Sequence, residues 1–145
     1  MPDTMRQSMT DKIIRKSVYL ATDAETVWAH LTQPDLLAKW FHPAQAPLEE
    51  GQDFLLTSQK DGDRMCWGKV TEMRPPAYMK WDFTVGPLNG KMTEVEWFIE
   101  EIEGGTRLSL EHRGLPEDTE AFGLVLALDK GWHGFVLALR ELTDA

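Results

Sequence analysis

Four histidines, one cysteine and a scatter of carboxylates are the residues here that can move a proton, bind a metal or act as a nucleophile. Their spacing supports little of that chemistry. His30 and His42 stand twelve positions apart with no cysteine nearby to complete a ligand set, so neither a metal nor a cofactor is expected. His112 falls on the inward phase of a strand-like run. It reads either as a buried structural group or as a proton donor or ligand anchor facing a cavity. Asp129 and His133 are four apart, the spacing of an exposed helical pair, with the alternative that His133 looks into a pocket mouth. Cys66 has Arg64 as its one basic neighbour in sequence and reads as a packed thiol. Glu94, Glu96 and Glu100 alternate with apolar residues and read as the wet face of a strand. No Ser-His-Asp order, phosphate-binding glycine loop or nucleotide fingerprint occurs, so no catalytic residue is assigned.

The aromatic content is more suggestive. Six tryptophans exceed what packing alone asks of a chain this size. They are Trp28, Trp40, Trp67, Trp81, Trp97 and Trp132, spread over nearly every predicted element. Large amphipathic rings suit either a core or the wall of a pocket, and the pocket is the sharper expectation.

The element that must position these rings is the stretch Glu117 to Leu142. Ala121, Leu124, Val125, Leu128, Trp132, Phe135, Leu139 and Leu142 fall on one side at 100° per residue, the mark of an amphipathic helix. Such a rod needs a broad partner. Three glycines, Gly123, Gly131 and Gly134, interrupt it at up to ~1 kcal/mol each. Gly131 sits at the stripe's edge, where it is expected to let the helix approach the sheet or bend over a ligand. Leu126 and Leu137 lie off the stripe and leave a dimer contact open.

The preceding chain supplies the partner. Lys12 to Leu20 reads as a strand with Val18 and Leu20 on one face. Thr22 and Glu25 form a capping box that starts a helix over Asp23 to about Leu31. Thr32, Pro34 and Asp35 mark a second start, with a helix to about Phe41. Strands then follow over Gln52 to Ser58, Arg64 to Met73, Tyr78 to Val85, Met92 to Glu101 and Thr106 to Arg113. Lys60-Asp61-Gly62-Asp63, Arg74-Pro75-Pro76-Ala77, Gly86 to Gly90 and Gly104-Gly105 separate them. The strand from Arg64 has two phases: Met65, Trp67 and Met73 share one, Cys66 and Val70 the other. The order β-α-α-β-β-β-β-β-α predicts an α+β fold, an antiparallel meander with two short helices at one end and the last helix on the concave face.

Composition bounds what this architecture serves. The net charge of −9 disfavours nucleic acid and anionic lipid. A single cysteine excludes an internal disulfide and suits a reducing compartment, so a cytoplasmic protein is expected. No apolar run approaches the ~18 residues of a membrane span, and no membrane insertion is expected. Residues 1–11 read as a mobile tail and 12–145 as a single domain.

Several short motifs recur in an ordered set. Val27-Trp28, Leu31-Thr32 followed by Pro34, Trp40-Phe41, Gly68-Lys69-Val70-Thr71-Glu72, Gly105-Thr106-Arg107-Leu108-Ser109-Leu110 and Gly131-Trp132 resemble bacterial homologues of the C-terminal domain of the activator of heat-shock-protein-90 ATPase. That family belongs to the START-like, or SRPBCC, superfamily. The resemblance spans roughly Lys12 to Leu142. It implies the helix-grip fold, a curved six-stranded antiparallel sheet with two short helices and a long C-terminal helix. It also implies a cavity between that helix and the sheet, commonly for lipophilic small molecules, and no fixed activity. The eukaryotic activator grips the chaperone through a separate N-terminal domain, for which this chain is too short.

Three readings follow. The first is a binder of an apolar or aromatic small molecule, with Trp40, Trp67, Trp81, Phe83, Trp97, His112, Leu128, Trp132 and Phe135 as the expected lining. The second is an interaction module that touches a chaperone or another protein. The third is a cyclase-type enzyme using His112 or a pocket carboxylate. Volume divides the first two: a space of ~300 Å³ or more favours binding, close packing an interaction role.

Overall fold

The computed structural model describes residues 12–144, so the expected N-terminal tail lies outside it. Six strands form one antiparallel sheet in the order β1-β6-β5-β4-β3-β2, with β1 Ile14–Leu20, β2 Asp53–Thr57, β3 Arg64–Arg74, β4 Tyr78–Thr84, β5 Thr93–Ile102 and β6 Gly105–Arg113. Alternation decides the faces. On β5, Val95, Trp97 and Ile99 are buried; on β6, Leu108, Leu110 and His112 are buried opposite them. The other face is charged and paired across strands, with Lys80–Glu94 at 3.4 Å, Arg113–Glu96 at 3.3 Å and Arg107–Glu100 at 2.6 Å. The three glutamates therefore sit in a solvated charge ladder, as their alternation predicts.

Helices α1 (Ala24–Thr32) and α2 (Pro34–Trp40) follow β1, and α3 (Phe122–Thr143) closes the chain. The expected caps are wrong in detail. Asp23, not Thr22, caps α1, accepting from the Thr26 backbone N–H at 2.8 Å. Thr22 instead lends its carbonyl to the Thr106 hydroxyl at 2.7 Å. Thr32 does not open α2: it is the last residue of α1, its hydroxyl donating back to the Trp28 carbonyl at 2.9 Å. Gln33 stands between the helices, extended because Pro34 follows. The long helix begins at Phe122 rather than Glu117, behind a 3₁₀ turn over Thr119–Ala121 with no side-chain cap.

Strand β3 carries two β-bulges, and these resolve its ambiguous phase. Against β2, Leu56 pairs with Cys66 and Thr57 with Arg64, which leaves Met65 as an extra residue. Against β4, Val70 pairs with Trp81 and Glu72 with Lys80, so Thr71 is extra. Cys66 and Val70 point into the core, and Trp67 lies on the opposite face beneath the Arg64 guanidinium, 3.9 Å from its ring centre. That overturns the placement of Trp67 among inward aromatics.

α3 lies across β1 and against α2 and buries Val125, Trp132, Val136 and Leu139. By length and composition alone the segment Thr119–Thr143 is apolar enough to cross a membrane, contrary to the expectation of no such run. The reason is its outer face, where Phe122, Leu126 and Leu137 stay exposed while its inner face serves the core.

Gly68 marks the tightest approach in the sheet. A β-carbon there would clash with the Asp82 carbonyl on β4, which is backbone and cannot swing aside. Gly68→Ala is expected to cost about 3 kcal/mol or more, read as a shifted urea midpoint; a wild-type midpoint would refute this strand spacing.

Candidate functional site

The space between α3 and the sheet is largely filled with rings. Trp97 meets Trp81 at 5.4 Å and Trp132 at 5.6 Å between centroids, both edge-on, and Trp40 meets Trp97 at 6.1 Å. Trp81 and Trp97 have no exposed surface, and their indole N–H groups find no acceptor. Each buried donor left this way costs roughly 1–3 kcal/mol. Trp40 is better served, donating to the His30 carbonyl at 2.8 Å. Of the nine residues expected to line a cavity, Trp40, Trp81 and Trp97 are thus packed core, and Trp67 is on the far face.

His112 is locked in place. The Thr93 hydroxyl donates to the Phe83 carbonyl at 2.6 Å, so it can only accept from His112 Nε2–H at 2.7 Å. On the other side of the ring, the Trp132 indole N–H donates to His112 Nδ1 at 3.0 Å. Both nitrogens are engaged, and neither faces open space. The imidazole is held neutral: burial brings its pKa down to about 4. The geometry acts in the same direction, because a proton on Nδ1 would face another donor.

One hollow remains at the edge of this packing, of about 220 Å³ and open to solvent on one side. Phe83 and Val85 form its floor, and Leu128, Trp132 and Phe135 its helical wall, with Ala127 and Gly131 beside them. Phe41 and His42, just past α2, close one side; Met65 and Cys66 close the other. The bulge at Met65 is what lets two successive residues of β3 reach the same hollow. Phe135 stands edge-on to Phe41 at 4.6 Å and to His42 at 5.3 Å. Half-burial lowers the His42 pKa, and burial raises that of Cys66 above the ordinary thiol range. The wall is therefore neutral and apolar, with one imidazole as its polar group.

Phe83, Leu128, Trp132 and Phe135 are the members of the expected lining that meet here. Phe41, His42, Met65, Cys66 and Val85 were missed. Val85 is in phase with the expected Phe83, so its alternation carried a signal; Cys66 has the phase opposite the expected Trp67, Met65 reaches the hollow only through the bulge, and no periodicity places His42. His133 is exposed on the helix, and Asp129 pairs not with it but with Lys16 of β1, at 2.9 Å. His30 bonds the Thr26 carbonyl within its own helix at 2.8 Å. Among the described residues no group of three or more His, Cys, Asp or Glu side chains could hold a metal ion.

The family model for "Activator of Hsp90 ATPase homolog 1-like protein" matches residues 21–144. The chain belongs to this family. Solved structures share the fold at low identity. DynU16, from the dynemicin biosynthetic locus, is 24% identical over 93% of this chain, with a TM-score of 0.76. This chain spans 48% of that protein, about half its length. MLL2253 from Mesorhizobium loti is 21% identical, with 91% of this chain and 96% of that one covered and a TM-score of 0.77. The Aha1 dimer from Colwellia psychrerythraea, solved in solution, is 21% identical, with 90% and 95% covered and a TM-score of 0.76. No curated protein matches. These likenesses establish the α+β helix-grip architecture.

Two measurements test the site's construction. His112 is held neutral when folded and titrates near 6.5 when unfolded. Its contribution is thus complete above pH 6.5 and is lost as pH falls toward 4, by roughly 3 kcal/mol in all. Urea unfolding across that range should show the slope, and His112→Gln should flatten it; an unchanged slope in the variant would assign the loss elsewhere. At Gly131 an added β-carbon would meet only the Phe135 ring edge, at 4.0 Å. The glycine is therefore not needed for close approach, and Gly131→Ala should raise stability by up to ~1 kcal/mol.

Proposed function

We propose that this domain binds one small, mostly apolar aromatic molecule in the hollow between α3, the end of α2 and the β3–β4 edge. The observation that carries this reading is the wall itself: Phe41, Phe83, Trp132 and Phe135 around an open space of about 220 Å³, with His42 at hand. That space is smaller than the ~300 Å³ lower bound typical of drug-sized sites. It still exceeds the ~150 Å³ in which an apolar cavity accepts benzene, so a one- or two-ring ligand fits. Edge-to-face rings recognise a flat guest, and the neutral His42 imidazole can give or take one hydrogen bond to a hydroxyl. Affinity would come from apolar surface leaving water, at about 25 cal/mol per Å².

Catalysis through His112 has less to support it. Both its nitrogens are engaged within the protein, so it offers no proton path to a guest. The family's description names a chaperone ATPase, but nothing among the described residues marks out a chaperone-binding surface.

The test is calorimetric titration with 1-naphthol, a two-ring probe with a single hydroxyl. Binding in the micromolar range is expected for the wild-type chain. Gly131→Leu, which drives a side chain into the hollow, should weaken it at least about tenfold while the fold stays intact by circular dichroism. Absence of heat up to millimolar naphthol, or equal binding by the variant, would overturn the assignment.

A further inference from the structure

Three soft donor residues stand on the wall of one hollow. His42 closes one side of it, and Met65 and Cys66 close the other. Successive residues of a regular strand face opposite ways; here both reach one space because Met65 is the extra residue of the bulge. The backbone brings the imidazole alongside. The Thr57 N–H donates to the Pro43 carbonyl at 3.0 Å, Ala44 bridges Leu56, and Leu56 pairs with Cys66. The segment 42–44 therefore runs two strand spacings from β3, roughly 10 Å between backbones. A histidine and a methionine side chain together span that gap. Met65 is unbranched and 38% exposed, so its thioether can swing to the opening.

We propose that His42, Met65 and Cys66 form a three-coordinate site for a soft monovalent metal ion, copper(I), on the wall of this hollow. Thiolate, thioether and imidazole together are a donor set that copper(I) accepts. On binding, a sulfur–copper bond forms at Cys66 and the thiol proton leaves to water. Charge then selects the ion. Among the described residues the lining has no carboxylate, and His42 and Cys66 are its titratable groups. One thiolate thus faces one cation. With copper(I) the site is neutral overall. With zinc a full positive charge would stay uncompensated beside Phe83, Trp132 and Phe135, at a large cost in apolar surroundings. Burial raises the pKa of the free thiol, so the copper–sulfur bond must displace a firmly held proton.

The metal is a different occupant from the aromatic guest. It needs only its three donors, so this inference does not rest on the ligand reading and is tested without an aromatic probe.

The test is a competition titration of the reduced full chain against bicinchoninate, with copper(I) kept reduced by ascorbate. The colour of the copper–bicinchoninate complex should fall until about one equivalent per chain is withdrawn, and X-ray absorption of that copper should show two sulfur ligands and one nitrogen. Met65→Leu, which keeps the bulk, and His42→Phe, which keeps a ring, should each weaken withdrawal at least about tenfold. Cys66→Ala should abolish it. Circular dichroism of each variant separates lost binding from lost folding, and the exposed Met65 decides the matter if Cys66→Ala unfolds. No withdrawal by the wild-type chain overturns the site. Equal withdrawal by Met65→Leu and His42→Phe means an adventitious ion only, held by thioethers elsewhere such as Met5 and Met9, and overturns it too. Zinc bound as tightly as copper(I) would overturn the choice of a monovalent ion.

Discussion

The hydrogen bond from Trp132 to His112 is the contact on which the arrangement of helix and sheet depends. α3 is stripped of strong local support: it has no side-chain cap and three glycines in its 22 residues. Its position is decided by packing, and packing of large rings alone tolerates some sliding. The chain from Trp132 through the imidazole to Thr93 and the Phe83 carbonyl removes that freedom. It joins helix, β6, β5 and β4 through groups that cannot be satisfied in any other register. The same indole forms part of the hollow's wall, so the element that fixes the helix also sets the shape of the site.

What the sequence made legible follows from water. Where one face of an element is solvated, the pattern is clean. β6 alternates throughout and β5 from Thr93 to Ile99, and the stripe from Val125 to Leu139 marks the inner face of α3. Val136 is buried as well, although it is not among the residues of the expected stripe. β3 resisted reading for a physical reason. Two extra residues reset its period, so no single alternation fits Met65, Trp67 and Met73 together with Cys66 and Val70.

The site was half legible for the same reasons. Phe83, Leu128, Trp132 and Phe135 lie on regular elements whose facing follows from spacing. Phe41 and His42 lie where the backbone leaves α2, with Phe41 at φ −129° and ψ −107°, and no periodicity says where such side chains turn. The tryptophans misled in another way. Their number pointed to a large internal cavity, whereas Trp81 and Trp97 occupy the space that the cavity was expected to fill. Large rings can wall a void or abolish it, and composition does not distinguish the two.

The extra residue at Met65 places two sulfur atoms at one spot under different conditions. Met65 is 38% exposed at the opening, while Cys66 behind it is 2% exposed, its thiol held protonated by burial. A two-electron oxidant should convert the first to its sulfoxide and spare the second, since thiols react as thiolates. Mild peroxide would then make the doorway polar and leave the interior dry, a change that intact mass and a repeat titration would register together; a thiol oxidised first would contradict it.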